Sequence, residues 1–276
     1  MPSSFDLDAY LARIDYTGPR EASLAALAQI HYRHVCSIPF ENLDILLGRP
    51  IRIDPSSVQQ KLIHDRRGGY CFEHNTLFAA ALTALGFRVT PLAARVRWQV
   101  PAEVKTALTH MILAVEATGR HLLADTGFGS GSLSAPLLLD TDAPQPTPHE
   151  RRRLLRRGDV LVHQAEHAGA WADLYEFTLQ PMFVPDFEMG NWFTSTWPES
   201  RFRQNLTVAL TAPDRRHTLL NRQFTTRWTD GRVETRELAT PAELLEVLGD
   251  FFALTFPAGT RFDAPGLASS PVSPAQ

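Results

Sequence analysis

Arg67-Gly68-Gly69-Tyr70-Cys71-Phe72-Glu73-His74-Asn75 is the stretch that decides how this chain is read. Two glycines permit a tight backbone path. The cysteine after them opens an apolar segment, Cys71 to Leu85, that stops at Gly86 and reads as a buried helix. A cysteine in the first turn of a helix meets N–H groups without intrahelical partners and the positive end of the macrodipole. Both favour a thiolate, and so a nucleophile. The same N–H groups suit the oxyanion that forms when sulfur attacks a carbonyl.

A nucleophilic cysteine needs a base, and the base needs an orienting acceptor. Thr109 to Val115 reads as a strand carrying His110 near its start, and His121 to Asp125 as the next strand, joined through Thr118-Gly119-Arg120 in a hairpin. Neighbouring strands can present His110 and Asp125 together, one ring nitrogen toward the carboxylate and the other toward sulfur. His74 is a rival base, three residues after Cys71 on the same helix, but with no evident carboxylate to set its tautomer. Cys36 has no basic or helix-start setting and reads as packing.

Composition narrows the classes. Among 276 residues, 44% are apolar and 21% charged, with net charge -3, so a substantial core is available and no basic field exists to hold nucleic acid or an anionic membrane. No apolar run approaches the about 20 residues of a membrane-spanning helix. Met1-Pro2-Ser3-Ser4-Phe5-Asp6 lacks the regions of a signal peptide, and a cytoplasmic location is expected. Two cysteines are too few for a disulfide scaffold or a cysteine-based zinc site.

Outward from the glycines, residues 1–87 read as helical. Leu7, Tyr10, Leu11 and Ile14 share one helix face, as do Leu24, Leu27, Ala28 and Ile30 in a second helix from about Ser23 to Val35. Asp54-Pro55 caps a third, Ser56 to His64. Glu41 is expected to hold Arg67 through a bidentate contact and so fix the cysteine loop. From about Val89 to Asn205 the pattern is strand-like, with alternation in Ala94 to Val100, Val160 to His163 and Leu174 to Leu179, which suggests an antiparallel barrel. Gly127-Phe128-Gly129 alone reads as a turn and a weak phosphate signal. His163, Glu166 and His167 are not in the order of a zinc motif, and no metal is expected. Arg151, Arg152, Arg153, Arg156 and Arg157 read as a solvated loop, with contact to phosphates as the second reading. Beyond residue 206 come strands in Leu206 to Leu210, His217 to Leu220 and Gln223 to Trp228. A helix then opens with the capping box Thr240-Pro241-Ala242-Glu243, and a tail from Ala264 reads as frayed.

Five pieces, in order, carry a family resemblance over residues 20–205: Ile38 to Asp44, Arg67 to Cys71, Thr109-His110, Asp125-Thr126-Gly127-Phe128-Gly129, and Ser195 to Phe202. They resemble the arylamine N-acetyltransferases. The resemblance implies an α+β fold with a cysteine-protease-like (transglutaminase-like) catalytic core. Its parts are a helical bundle (1–87), an antiparallel β-barrel (88–205) and a C-terminal α/β lid (206–276). It implies a Cys71-His110-Asp125 triad that passes acetyl from acetyl-CoA to a small aromatic amine, hydrazine or N-hydroxyarylamine by a ping-pong route, with no permanently bound cofactor. It places Gly127, Gly129 and Thr109 by coenzyme A, and Phe40, Val96, Phe128 and Phe202 around the acceptor, with a homodimer compatible. A thiol hydrolase or an amide synthase would use the same triad, and a non-catalytic binding protein would keep the pocket alone.

Overall fold

Local capping signals start most of the helices. In the computed structural model, which describes residues 5–101, 103–167 and 169–268, α1 (Leu7–Arg13) follows an Asp6 cap whose carboxylate accepts the Ala9 N–H at 2.9 Å. Helix α2 (Leu24–Ser37) is capped by Ser23. Its inner face is Leu27, Ile30, His31, His34 and Val35, so Leu24, expected on the apolar side, is instead exposed at the first turn. A short strand β1 (Phe40–Glu41) and helix α3 (Leu43–Leu46) precede α4 (Pro55–Gln59), which Asp54 caps as expected and which runs into a π-helical stretch, Gln60–His64. Helix α5 (Cys71–Ala84) is apolar on nearly every side and therefore sits in the core.

Seven antiparallel strands follow: β2 (Arg88–Val96), β3 (Leu108–Ala117), β4 (Arg120–Ala124), β5 (Leu137–Leu138), β6 (Arg152–Arg157), β7 (Val160–His167) and β8 (Ala170–Phe177). They lie in the order β5-β4-β3-β2-β8-β7-β6. The two edges approach through Gln145, whose side chain bonds the Leu138 N–H and C=O at 2.8 and 3.0 Å while its backbone pairs with Arg152. The result is a nearly closed barrel. Alternate residues divide its faces: Ile112 and Leu123 point inward to Leu92, Leu161 and Leu174, while Leu113, Val115 and Ala124 pack on α5.

Three expectations are corrected here. Strand β2 ends at Val96, and Gln99 takes a left-handed φ of 58° in the following turn, so Trp98 to Val100 is not strand. Residues 184–204 are helical, as α6 (Val184–Thr196) and α7 (Arg201–Gln204), where the strand pattern was expected to continue. Helix α6 forms because Asp186 accepts the Phe183 N–H at 2.9 Å and because Gly190 lets the helix settle onto Phe72. Finally, the arginine cluster is not a solvated loop. Arg152 lies in β6, buried by strand alternation and neutralised by Glu150.

Strands β9 (Thr207–Ala212), β10 (Arg215–Leu220), β11 (Gln223–Trp228) and β12 (Val233–Glu237) form a second sheet with β1, in the order β1-β9-β10-β11-β12. Helix α8 (Pro241–Phe252), capped by Thr240, lays Leu244, Val247, Leu248 and Phe252 on its Val208, Leu219 and Phe224. The chain stays packed beyond this point: Ala264 is buried and a last short helix, α9 (Pro265–Ala268), follows. The rest of the expected frayed tail, 269–276, and residues 1–4 lie outside the described residues.

The seam between the two halves is made of backbone. Phe40 pairs with Ala209 and Glu41 with Val208. Asn42 donates to the Phe202 and Asn205 carbonyls at 2.7 and 2.8 Å and accepts the Thr207 N–H at 2.9 Å. Beneath it, a Cβ on Gly68 would stand 2.0 Å from the Pro39 carbonyl oxygen, so this crossing tolerates only glycine. Gly68→Ala is expected to lower the thermal unfolding midpoint by several degrees, as overpacking against backbone does; an unchanged midpoint in calorimetry would show that the crossing has slack.

Candidate active site

Cys71 is the first residue of α5, and the loop that delivers it is braced by charge. Glu73 accepts the Tyr70 N–H at 3.0 Å through one oxygen and Lys61 at 2.7 Å through the other. Lys61 also meets Asp44 at 2.8 Å, and Arg67 meets Glu41 at 2.6 Å and Asp44 at 3.3 Å. The Glu41–Arg67 pair therefore forms, but not as the expected two-oxygen fork. Nε and Nη2 of Arg67 converge on Oε1, because Oε2 of Glu41 accepts the Leu43 N–H at 2.7 Å. Arg67 lies over the Phe256 ring at 4.8 Å, which ties the loop to the last part of the chain.

The sulfur, ring and carboxylate predicted to act together are brought together. His110 Nε2 donates to Asp125 Oδ2 at 2.8 Å, which leaves Nδ1 as the ring nitrogen available to Cys71. Cys71 Sγ also lies 3.6 Å from the Thr109 carbonyl oxygen. All three side chains are buried, Cys71 4%, His110 3% and Asp125 0% exposed. Burial alone would make the imidazole less basic. The Asp125 charge and hydrogen bond, joined by Cys71, outweigh it and raise the His110 pKa. Burial likewise opposes ionisation of Asp125, yet His110, Asn75 and the Gly127 N–H hold its pKa below the usual carboxylate range.

Asn75, four residues after Cys71 and on the same side of α5, ties that helix to the acid and to β3. Its Nδ2 donates to Asp125 Oδ1 at 3.0 Å and to the Met111 carbonyl at 2.7 Å, and its Oδ1 accepts the Thr126 N–H at 3.1 Å. The Asp125 N–H donates to His31 Nε2 at 3.1 Å, a contact across 94 residues with no signal in the sequence.

His74, the rival base, is fully committed elsewhere. Its Nε2 donates to the Pro39 carbonyl at 3.1 Å, so its Nδ1 must accept, from His34 Nε2 at 2.9 Å. His34 Nδ1 in turn must accept, from the Tyr10 hydroxyl at 2.9 Å. The chain Tyr10 to His34 to His74 to Pro39 thus runs in one direction with every ring neutral. Burial pulls the pKa of both His31 and His74 down to about 4, and that of His34 well below its ordinary value.

The other expected site residues surround the triad. Phe128 lies edge-on to His110 at 5.0 Å, and Tyr175, which the sequence did not single out, tilts against the same ring at 5.0 Å. Phe202 touches Phe40 at 5.9 Å and Tyr70 at 5.6 Å, while Phe40 itself is buried against His74. Val96 ends β2 opposite Tyr175. A Cβ on Gly127 would reach 2.6 Å from Cys71 Cα, and Gly129 turns at φ 69° under the Phe40 ring, so packing alone requires both glycines. His163 is buried against Tyr175 at 4.7 Å while His167 is exposed at the end of β7, so the two do not converge.

A family model described as N-acetyltransferase matches residues 23–260. The Escherichia coli protein named arylamine N-acetyltransferase is 41% identical over 249 residues, covering 90% of this chain and 88% of that one. A Salmonella typhimurium protein named arylamine N-acetyltransferase / N-hydroxyarylamine O-acetyltransferase is 38% identical over 249 residues, with the same two coverages. Among solved structures, Mycobacterium marinum arylamine N-acetyltransferase in complex with CoA superimposes with a TM-score of 0.87 at 40% identity, covering 90% of this chain and 92% of that one.

Two outcomes follow from the site. The native state binds fewer protons at His31 and His74 than the unfolded chain, whose histidines titrate near 6.5, so stability rises with pH across this interval. Read downward, the contribution of these two rings is expected to be full above pH about 6.5 and to fall toward pH about 4, by about 1.4 kcal/mol per pH unit for each histidine, whereas His110, raised in the fold, adds stability that is lost only as pH rises above about 6.5 and so leaves this interval to the neutral rings. Urea unfolding at pH 6.5, 5.75 and 5 checks this, and a flat series contradicts the neutral chain. Arg67→Lys keeps the charge but loses the second contact to Glu41, and is expected to lower both the urea midpoint and the rate of Cys71 alkylation; equality with the wild type in both would remove Arg67 from loop positioning.

Proposed function

The chain belongs to the arylamine N-acetyltransferase family, and from that premise we propose that Cys71 carries acetyl from acetyl-CoA to an arylamine, arylhydrazine or N-hydroxyarylamine as a transient acetyl-cysteine. The observation that carries the reading is the buried placement of Cys71 at the first turn of α5, its sulfur 3.6 Å from the carbonyl of Thr109, the residue before His110, whose ring is itself 2.8 Å from Asp125. In the first half-reaction the sulfur, its proton taken by the ring, attacks the thioester carbonyl, and the oxyanion develops beside the N–H groups of that first turn. The coenzyme A sulfur leaves with its electron pair and takes the proton from His110. In the second, the amine nitrogen attacks the acetyl-cysteine carbonyl, the ring takes a proton from nitrogen, and the Cys71 sulfur leaves.

Roles for the surrounding residues follow from where they lie. Gly127, Gly129 and Thr109 would pass the pantetheine arm to the sulfur, and Phe40, Val96, Phe128 and Phe202 would hold the aromatic ring of the acceptor. Aromatic amines suit the second half because they are largely unprotonated at neutral pH. Asp125 keeps the imidazole in one tautomer and stabilises its charged form. Among the described residues no helix is long and apolar enough to cross a membrane, and we place the enzyme in the cytoplasm, where acetyl-CoA and a reduced thiol coexist.

Transfer rather than hydrolysis is favoured by the enclosure of the sulfur between α5 and the aromatic rings, which limits the approach of water. Intact-protein mass spectrometry after incubation with acetyl-CoA is expected to show one added acetyl group, absent in Cys71→Ala and discharged on addition of an arylamine with the acetylated amine as product. An adduct that survives in Cys71→Ala, or acetyl that passes only to water, would overturn the assignment.

A further inference from the structure

The glycine turn that follows Asp125 is gripped from both sheets. Arg152 of β6 donates from Nη2 to the Gly131 and Ser132 carbonyls at 3.0 and 3.5 Å, and Arg216 of β10 donates from Nη2 to the same Ser132 carbonyl at 3.0 Å. One carboxylate joins the two arginines. Glu150 Oε1 accepts Arg152 Nε at 2.7 Å and Arg216 Nη2 at 3.0 Å; Arg152 Nη2 meets the same oxygen, and Arg216 Nη1 meets Oε2. Arg216 thus makes the two-oxygen fork, the directional form of this contact. Arg152 is 1% exposed, and the side chains of Glu150 and Arg216 are largely buried. Burial opposes ionisation of Glu150, yet the two guanidinium groups hold its pKa down at about 2, so it is a carboxylate at neutral pH.

What the three residues hold reaches the reacting groups. A Cβ on Gly131 would stand 2.9 Å from the Phe128 ring, so the end of the turn is packed against that ring, and Phe128 lies edge-on to His110. At its start the turn passes Cys71 at Gly127 and Phe40 at Gly129. The sulfur, imidazole and acid are instead spaced by Asn75 and by contacts between α5 and β3. We infer that Glu150 is a positioning residue which, through Arg152 and Arg216, fixes the turn of residues 127–132 and its Phe128 wall for the acetyl donor without setting the reactivity of the nucleophile. This rests on the reading that Cys71 takes acetyl from acetyl-CoA beside the turn. Without the carboxylate, two like charges face one another, one of them away from solvent, and the grip on the Gly131 and Ser132 carbonyls loosens.

The test is the rate of Cys71 acetylation, followed by intact-protein mass spectrometry over a series of acetyl-CoA concentrations, in Glu150→Gln and in Arg216→Gln. The second variant leaves the Glu150 and Arg152 pair in place, and thermal unfolding establishes that each variant is folded; either folded variant suffices. The half-saturating acetyl-CoA concentration is expected to rise about tenfold, while alkylation of Cys71 by iodoacetamide stays within about twofold of the wild type from pH about 6 to 9. Loss of fold or of nucleophile activation would slow both reactions together. Equal slowing of acetylation and alkylation in a folded variant, or an unchanged half-saturating concentration in both variants, overturns the inference while the wild type still charges. A wild type that takes up no acetyl overturns the acetyl-cysteine reading and this inference with it.

Discussion

A carboxylate without solvent, Asp125, is the constraint on which the rest of the site depends. An unpaired ion at that depth would cost several kcal/mol, so each of its oxygens has to be satisfied by a group placed there for the purpose. Oδ2 takes His110, and Oδ1 takes Asn75 and the Gly127 N–H. Because Asn75 stands one helical turn beyond Cys71, the helix that carries the sulfur also carries the amide that anchors the acid. Because Asn75 also bonds the Met111 carbonyl, that helix is tied to the strand holding His110. Sulfur, ring and carboxylate are therefore fixed by core contacts among α5, β3 and the residues after β4, and no mobile loop sets their spacing.

Two kinds of polar network surround this centre, and charge separates them. In one, Glu41, Asp44, Lys61, Arg67 and Glu73 are joined as ion pairs, and partial exposure of Lys61 and Arg67 limits the desolvation cost. In the other, the polar groups are neutral rings. A histidine can accept at one nitrogen and donate at the other, so Tyr10, His34 and His74 form a line that needs only one terminal acceptor, the Pro39 carbonyl. That carbonyl also receives the Gly69 N–H at 3.3 Å. The line therefore positions both the strand that starts at Phe40 and the glycine turn that leads to Cys71.

What could be read from the sequence was whatever depends on neighbours in the chain. The Asp54-Pro55 and Thr240-Pro241 caps, the Gly119 hairpin and the apolar run after Cys71 are local signals, and each element stands where those signals put it. Helix α6 was not legible, since Gly190, three threonine or serine residues and several aromatics give it poor intrinsic propensity. It exists because Gly190 fits Phe72 and because Asn191 meets Tyr70 and Ile51. His31 and His34 carry no local signal in α2 and lie in the core because of partners, Asp125 and His74, that are 94 and 40 residues away. Arg152 was misread for the same reason: a strand position and a partly exposed Glu150 decide its exposure, and neither is visible in a run of arginines.

The electrostatics of the ring suggest how one histidine serves both halves of the proposed transfer. Two sets of contacts favour its charged form: Asp125, which persists throughout, and Cys71. In the proposed cycle acylation takes the sulfur up in a thioester, so the ring keeps its first partner and loses the second. Its hold on the proton weakens at the moment the coenzyme A thiolate needs one. Once that thiolate has left with the proton, the neutral ring faces an acylated sulfur and can accept a proton from the attacking amine. Collapse of the second intermediate then regenerates the anionic sulfur and with it the stronger hold. In that proposal the donor of the acetyl group meets a ring ready to give, and the acceptor meets one ready to take.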